Sequence, residues 1–120
     1  MITRNHRFHG YNALRNVYQR GQTVRGPLFA IKFVDNPKRD GYRLSVIVSK
    51  KVSKSAVKRN RIRRRLYEVV RLLEPEMTRQ PDIALTVFAE QIAELPAPEL
   101  TRAVRSQFAQ AEILTKKQRA

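Results

Sequence analysis

The sequence predicts an α+β protein, a two-layer α/β sandwich in which helices pack on an antiparallel-rich sheet. Apolar spacing switches between helical and strand periods, in the order helix, strand, strand, helix, strand, helix. Glycine and proline fall at the switches. Length is the third observation: 120 residues suffice for one modest core and not for two, so residues 1–120 read as a single domain. With 42% hydrophobic residues and nine aromatics, the composition is that of a folded chain despite 29% charge.

The elements follow in order. YNALRNVYQRG sets Tyr11, Leu14, Val17 and Tyr18 at helical spacing, and Gly21 is a natural stop. Gly26 and Pro27 mark a turn. LFAIKFV alternates, with Phe29, Ile31 and Phe33 on one face and Ala30 and Lys32 on the other. DNPKRDG reads as a loop in which Asp35 and Asp40 are turn formers. YRLSVIVSKK is the next strand, with Leu44, Val46 and Val48 opposed to Ser45, Ile47 and Ser49. Ser53 or Ser55 can cap the helix that follows. In that helix Ile62, Leu66, Val69, Val70 and Leu73 form an apolar stripe, and Pro75 closes it. DIALTVFA, from Asp82 to Ala89, is a more continuous apolar run, as a central strand would be. Pro96 and Pro98 open a last helix carrying Leu100, Val104, Phe108 and Ala111 on one side.

Charge is the strongest functional signal. Twenty-five lysines and arginines face ten acids, a formal charge of +15 that repels itself and attracts polyanions. From Met1 to Arg71 there are nineteen basic and three acidic residues; from Leu72 to Thr115 there are three basic and seven acidic. The end TKKQRA adds three positive charges, and residues 115–120 read as a flexible tail. One part of the molecule thus carries the binding potential, and the rest reads as scaffold.

Six positive charges fall in the eight residues from Lys58 to Arg65. On a helical wheel of about 100° per residue, Leu66, Val69 and Leu73 lie near Ile62. Asn60, Arg64, Tyr67 and Arg71 fall on the far side, and Arg61, Arg63 and Arg65 flank. Arg61 and Arg65 repel one turn apart, and Glu68 is placed to relieve Arg64. A merely solvated helix face usually mixes signs, and this one scarcely does. Arginine outnumbers lysine here, and its planar fork holds phosphate bidentately and stacks on bases. Asn60 can read a base edge or a 2′-hydroxyl, or simply cap a turn. The sequence lacks the zinc ligands, heptads or helix-turn-helix pattern of DNA readers. A sheet carrying Tyr and Phe beside basic residues suits single-stranded RNA better.

Other chemistries are poorly supported. Cysteine is absent, so disulfides and thiolate metal sites are excluded and a reducing cytosol fits. MITRNHRFHG has no apolar run, and no stretch nears the roughly 18 residues of a membrane span. A soluble cytoplasmic protein without membrane contact is expected. Metal-dependent phosphodiester hydrolysis wants clustered carboxylates, and the acids here are scattered. His6 and His9 are more readily solvated or phosphate-contacting than a metal pair. Only four glycines are present, and none builds a phosphate loop.

At VSKKVSKSAVKRNRIRRRLYE the chain resembles the family of bacterial ribonuclease P protein subunits. Ser49, Lys50, Lys51, Ala56, Val57, Arg59, Asn60, Arg61, Arg64 and Glu68 match the family's motif, and Arg63 replaces a lysine. The likeness extends over about residues 4 to 112. The chain departs at Ser53 and Ser45, which stand for usual glycines, and at Ile47, which stands for a usual serine. Tyr67 takes a usual arginine position, and Leu14 a usual aromatic one.

The resemblance implies a ribosomal-protein-S5-domain-2-like fold of about four strands and three helices, with a left-handed βαβ crossover. It implies the protein component of ribonuclease P, which removes the 5′ leader from precursor tRNA. Catalysis there rests on the RNA subunit, whose Mg²⁺ ions are not held by protein side chains. The implied partners are the catalytic RNA and precursor tRNA, with no obligate protein partner. The implied RNA-subunit contacts are Lys50, Lys51, Lys54, Lys58, Arg59, Asn60, Arg61, Arg63, Arg64, Arg65 and Arg71. The leader cleft maps onto Leu14, Tyr18, Lys32, Ser45, Ile47 and Ser49. A structural RNA-binding protein of the ribosome is the rival, although such proteins more often carry long basic tails. A DNA-binding regulator is the third reading.

Overall fold

The computed structural model describes residues 11–35 and 41–114. The readings placed on His6, His9, Asp40 and the tail at 115–120 fall outside that range. Helix α1 spans Tyr11–Arg20, β1 Gln22–Arg25, β2 Phe29–Asp35 and β3 Arg43–Ile47. Helix α2 spans Ala56–Leu73, β4 Pro81–Val87 and α3 Ala97–Gln110. The four strands form one sheet in the order β1-β2-β4-β3. Strand β2 is antiparallel to both β1 and β4, while β3 runs parallel to β4 and is joined to it through α2. Three helices on a mixed sheet confirm the expected α+β class.

Reading the residues one by one finds three of these strands and misses β1. The segment QTVR is four residues long and exposes all but Val24, so it carries no alternation to detect. Its pairing with β2, from Gln22 opposite Phe33 to Arg25 opposite Ala30, makes it a strand. The predicted helices start and stop within a residue or two of where they fall. Ser55, not Ser53, caps α2: its Oγ accepts the Lys58 N–H at 3.1 Å. Ser53 Oγ in turn accepts the Ser55 N–H at 3.2 Å and sets the approach of the chain.

The two faces of the sheet are unequal. Phe29, Ile31 and Phe33 of β2, Leu44 and Val46 of β3, and Ile83, Leu85 and Val87 of β4 form one apolar face. The stripes of α2 and α3, including Ile62, Leu66, Leu73, Leu100, Val104 and Phe108, bury against it. Full burial of such a side chain is worth about 1.5–3 kcal/mol, which makes this layer the principal source of stability. Helix α1 lies on the opposite face, where Val17 packs on Ala84 with Leu14, Val34 and Ile47 around them. The sandwich is thus sheet against α2 and α3, and α1 covers only part of the other face.

Gln107 ties α3 to the β1–β2 hairpin. Its buried amide donates to the carbonyls of Val24 and Phe29, both at 3.2 Å. Gly26 leaves the room, since a Cβ there would fall 2.2 Å from Gln107 Oε1. At the far end of α3, Glu112 adopts φ 61° while the Ile113 N–H donates to the Phe108 carbonyl at 3.0 Å. This is a left-handed helix stop of the kind that usually takes glycine. Replacing Gln107 with leucine removes a donor from two hairpin carbonyls, of which that of Phe29 keeps the Gly26 N–H at 3.0 Å, and urea unfolding should show a loss of about 1 kcal/mol.

Candidate nucleic-acid interface

Rotation about α2 sorts its cations into two groups. Lys58, Arg59 and Arg65 lie within about 60° of Ile62 on the wheel, close to the buried stripe. All three are used by the fold. Lys58 Nζ sits 3.5 Å from the Glu90 carboxylate, and Arg59 donates to the Ser53 carbonyl at 2.9 Å. Arg65 donates to the carbonyls of Ile92 and Leu95 at 2.7 and 2.5 Å, which pins the 3₁₀ turn Glu90–Ala93 against the helix. The expected repulsion between Arg61 and Arg65 is therefore relieved, because Arg65 turns away to backbone oxygens.

The second group faces outward. Asn60, Arg61 and Arg64 are exposed, and Arg63 is half-buried. None of the four side chains makes an ion pair or hydrogen bond among the described residues. Lys50, Lys51 and Lys54 are exposed in the segment before α2. There the Ser49 carbonyl accepts the Val52 N–H at 3.1 Å and holds a turn. Cations in the first turn of a helix oppose its dipole, and α2 has no acid there. A bound polyanion would remove that penalty.

Two expectations on the outward face need correction. Glu68 relieves Arg71, not Arg64: Arg71 Nη2 and Nε donate to its carboxylate at 2.6 and 3.1 Å. Those hydrogen bonds chiefly hold the Glu68 carboxyl down at about 2. Arg71 is thereby partly neutralised. Tyr67 does not join the arginines; it packs against the core cluster, and its hydroxyl accepts the Val46 N–H at 3.3 Å. Strand β3 lies at the edge of the sheet, so its outward N–H has no strand partner and the phenol supplies one.

A second surface lies on the α1 side of the sheet. Strand register sets Thr23, Lys32, Ala84 and Ser45 in one row across all four strands. Arg25, Ala30, Thr86 and Ile47 form the next. Over the β1–β2–β4 part of these rows runs an open groove of about 230 Å³, with Tyr18 and Phe88 on its walls. Alanine at positions 30 and 84 keeps the floor low. The Lys32 ammonium lies 5.9 Å from the Tyr18 ring centre, and the Arg25 guanidinium 4.8 Å from that of Phe88.

Of the six residues expected in the cleft, Tyr18 and Lys32 line this groove. Ser45 and Ile47 share its face, but Ser45 is buried and Ile47 packs with Leu14 beneath α1. Ser49 lies beyond the end of β3, exposed in the turn. Sequence reasoning missed Arg25, Thr86 and Phe88. Thr86 was legible as the residue two beyond Ala84 on an alternating strand. Arg25 was hidden with the unrecognised β1, and Phe88 passed as one more apolar residue in DIALTVFA.

A basic helix face beside a groove with cations and aromatic rings is an RNA-binding arrangement. The family model described as Ribonuclease P matches residues 2–112. The chain belongs to the ribonuclease P protein family. The ribonuclease P protein component of Chloroflexus aurantiacus is 35% identical over 100 residues, spanning 83% of this chain and 73% of that protein. The one from a Geobacillus species is 33% identical over 87 residues, spanning 72% and 69%. Among solved structures, the Staphylococcus aureus RNase P protein superposes with a TM-score of 0.80 at 21% identity, covering 92% of this chain and 98% of that one. The Thermotoga maritima protein gives 0.74 at 18%, covering 83% and 92%. Membership makes this chain the protein component of a tRNA 5′-processing ribonucleoprotein, and its partner is the ribonuclease P RNA.

Among the described residues no three His, Asp or Glu side chains gather as metal ligands, and no helix is long and apolar enough to cross a membrane. The sorting of α2 separates stability from binding. Arg65→Met should lower unfolding stability by about 1–3 kcal/mol, because two buried-side carbonyls lose a charged donor. Arg61→Ala should leave it within about 0.5 kcal/mol. For Glu68, stability from the Arg71 pair is present above the ordinary carboxylate range and is lost as pH falls through about 2. An NMR titration of its side-chain carboxyl should show this low midpoint, and Arg71→Ala should return it towards 4.5.

Proposed function

We propose that the outward face of α2 binds the ribonuclease P RNA and that the groove under α1 receives the 5′ leader of precursor tRNA. The observation that carries this is the division of α2's cations. Arg61, Arg63 and Arg64, with the neutral Asn60 among them, make no side-chain hydrogen bond or ion pair among the described residues, and Lys50, Lys51 and Lys54 extend the same charge along the approach to the helix. In a chain of +15, cations left unpaired on one side form a phosphate clamp. Arg59, Lys58 and Arg65 support it from below by fixing the helix and the turn beside it. Arg71, paired with Glu68, contributes least.

In this reading the protein binds and orients, and the magnesium-dependent chemistry belongs to the RNA. Lys32 supplies charge to a leader phosphate and Tyr18 a stacking surface, while the alanine floor admits a strand without secondary structure.

A cleavage assay at low magnesium tests the reading. Precursor tRNA is mixed with this protein and a bacterial ribonuclease P RNA, beside protein-alone and RNA-alone controls. Cleavage at the mature 5′ end should need both. Cleavage by the protein alone would move the chemistry onto the protein, and unstimulated RNA with tight protein binding would favour a ribosomal role. Arg61→Ala should weaken RNA-subunit binding and reduce the slope of log affinity against log salt by about 1. Tyr18→Ala should weaken precursor binding more than mature tRNA binding; equal losses would remove the leader from the groove.

A further inference from the structure

Phe88 is 39% exposed, one of four large apolar side chains so exposed among the described residues. It follows the last residue of β4, continuing the alternation that puts Ala84 and Thr86 on the groove face. Its position is fixed from both sides. The Phe88 N–H donates to the Leu28 carbonyl at 2.8 Å, and Arg25 lies over the ring at 4.8 Å. Arg25 has no carboxylate partner among the described residues. The Tyr18–Lys32 pair stands elsewhere in the same groove. Lys32 is in register with Ala84, and Phe88 lies four residues further along that strand, about 13 Å by strand rise.

The groove thus carries the same device twice, an exposed ring with a cation beside it. A ring stacks on any base, and a cation neutralises the phosphate that accompanies it. The two cations are closer, since Arg25 is in register with Ala30, two residues and about 7 Å along β2 from Lys32, but a base stacked on one ring leaves the other ring open to a second base. Phe88 also leads directly into Ala89 and the 3₁₀ turn, whose Glu90 contacts Lys58 near the start of α2. The second pair therefore lies at the end of the groove nearest the basic helix.

We infer that Phe88 and Arg25 form a second nucleotide subsite in the groove, which stacks one unpaired base and holds its phosphate, separate from the subsite at Tyr18 and Lys32. The inference rests on the groove receiving a single-stranded leader. It assigns two stations to that leader, so leader length decides which of them is occupied. Being built from a ring and a cation, the second station is tolerant of base identity and sensitive to salt.

The test uses the holoenzyme and precursor tRNAs whose leaders lengthen one nucleotide at a time from one to eight, with mature tRNA as the zero. Affinity is measured for the wild type, Phe88→Leu, Arg25→Gln, Phe88→Trp and Tyr18→Leu. The wild type should gain affinity in two steps as the leader lengthens. Phe88→Leu and Arg25→Gln should each abolish one step, with a loss of roughly fivefold or more confined to leaders that span it. Tyr18→Leu should abolish the other step, and Phe88→Trp should keep both. Losses of equal size for every leader and for mature tRNA would overturn the subsite, because they report fold or RNA-subunit binding instead. So would unchanged binding by Phe88→Leu at all lengths. A wild type indifferent to the presence of a leader would overturn the leader reading itself, and the subsite with it. A wild type with one step that only Tyr18→Leu removes would leave the leader reading standing and sink the second station alone.

Discussion

Burial of Ile62, Leu66, Val69, Val70 and Leu73 against the sheet fixes the rotation of α2 about its axis, and the proposed RNA surface depends on that rotation. A helix cannot turn one face inward without turning the opposite face outward. Once the stripe is seated, Lys58, Arg59 and Arg65 are carried to the margins of the core, where carbonyls and one carboxylate engage them. Asn60, Arg61 and Arg64 are carried to water. The hydrophobic effect, which is indifferent to charge, thereby decides which arginines are structural and which remain for a partner.

The same economy governs the sheet. Its α2 face is built from large apolar residues and carries the core, so the other face is released from that duty. Two alanines, two threonines and a serine occupy much of it, and the short α1 covers it only in part. The Arg43–Asp82 pair, at 2.6 Å with its carboxylate buried and its guanidinium partly exposed, joins β3 to β4 on this side. The result is an open groove rather than an enclosed cavity.

Much of this was legible. The apolar periods located α1, β2, β3, α2, β4 and α3, because each buries a face whose spacing repeats along the chain. The basic run, its neighbouring lysines and the lack of balancing acids pointed to an outward cationic face, which the structure shows as exposed Arg61 and Arg64 beside exposed Lys50, Lys51 and Lys54. The motif around Arg59, Asn60 and Arg61 pointed to the right family. What stayed hidden lacked a local signature. Strand β1 is exposed and exists by pairing. Glu68 can pair on the helix in more than one direction, and Arg71 rather than Arg64 takes it. Tyr67 looked outward on a wheel that knows nothing of the sheet edge beside it.

The class of fold, the basic character of one half, and the helix that concentrates it follow from residue spacing and charge along the chain. Which cations remain available and what lines the groove depend on packing. Arg65 is engaged by carbonyls nearly thirty residues away, and Arg25 meets Phe88 across a sheet whose order is not the order of the chain. Such contacts are set by how elements pack, and packing joins residues that the sequence holds far apart.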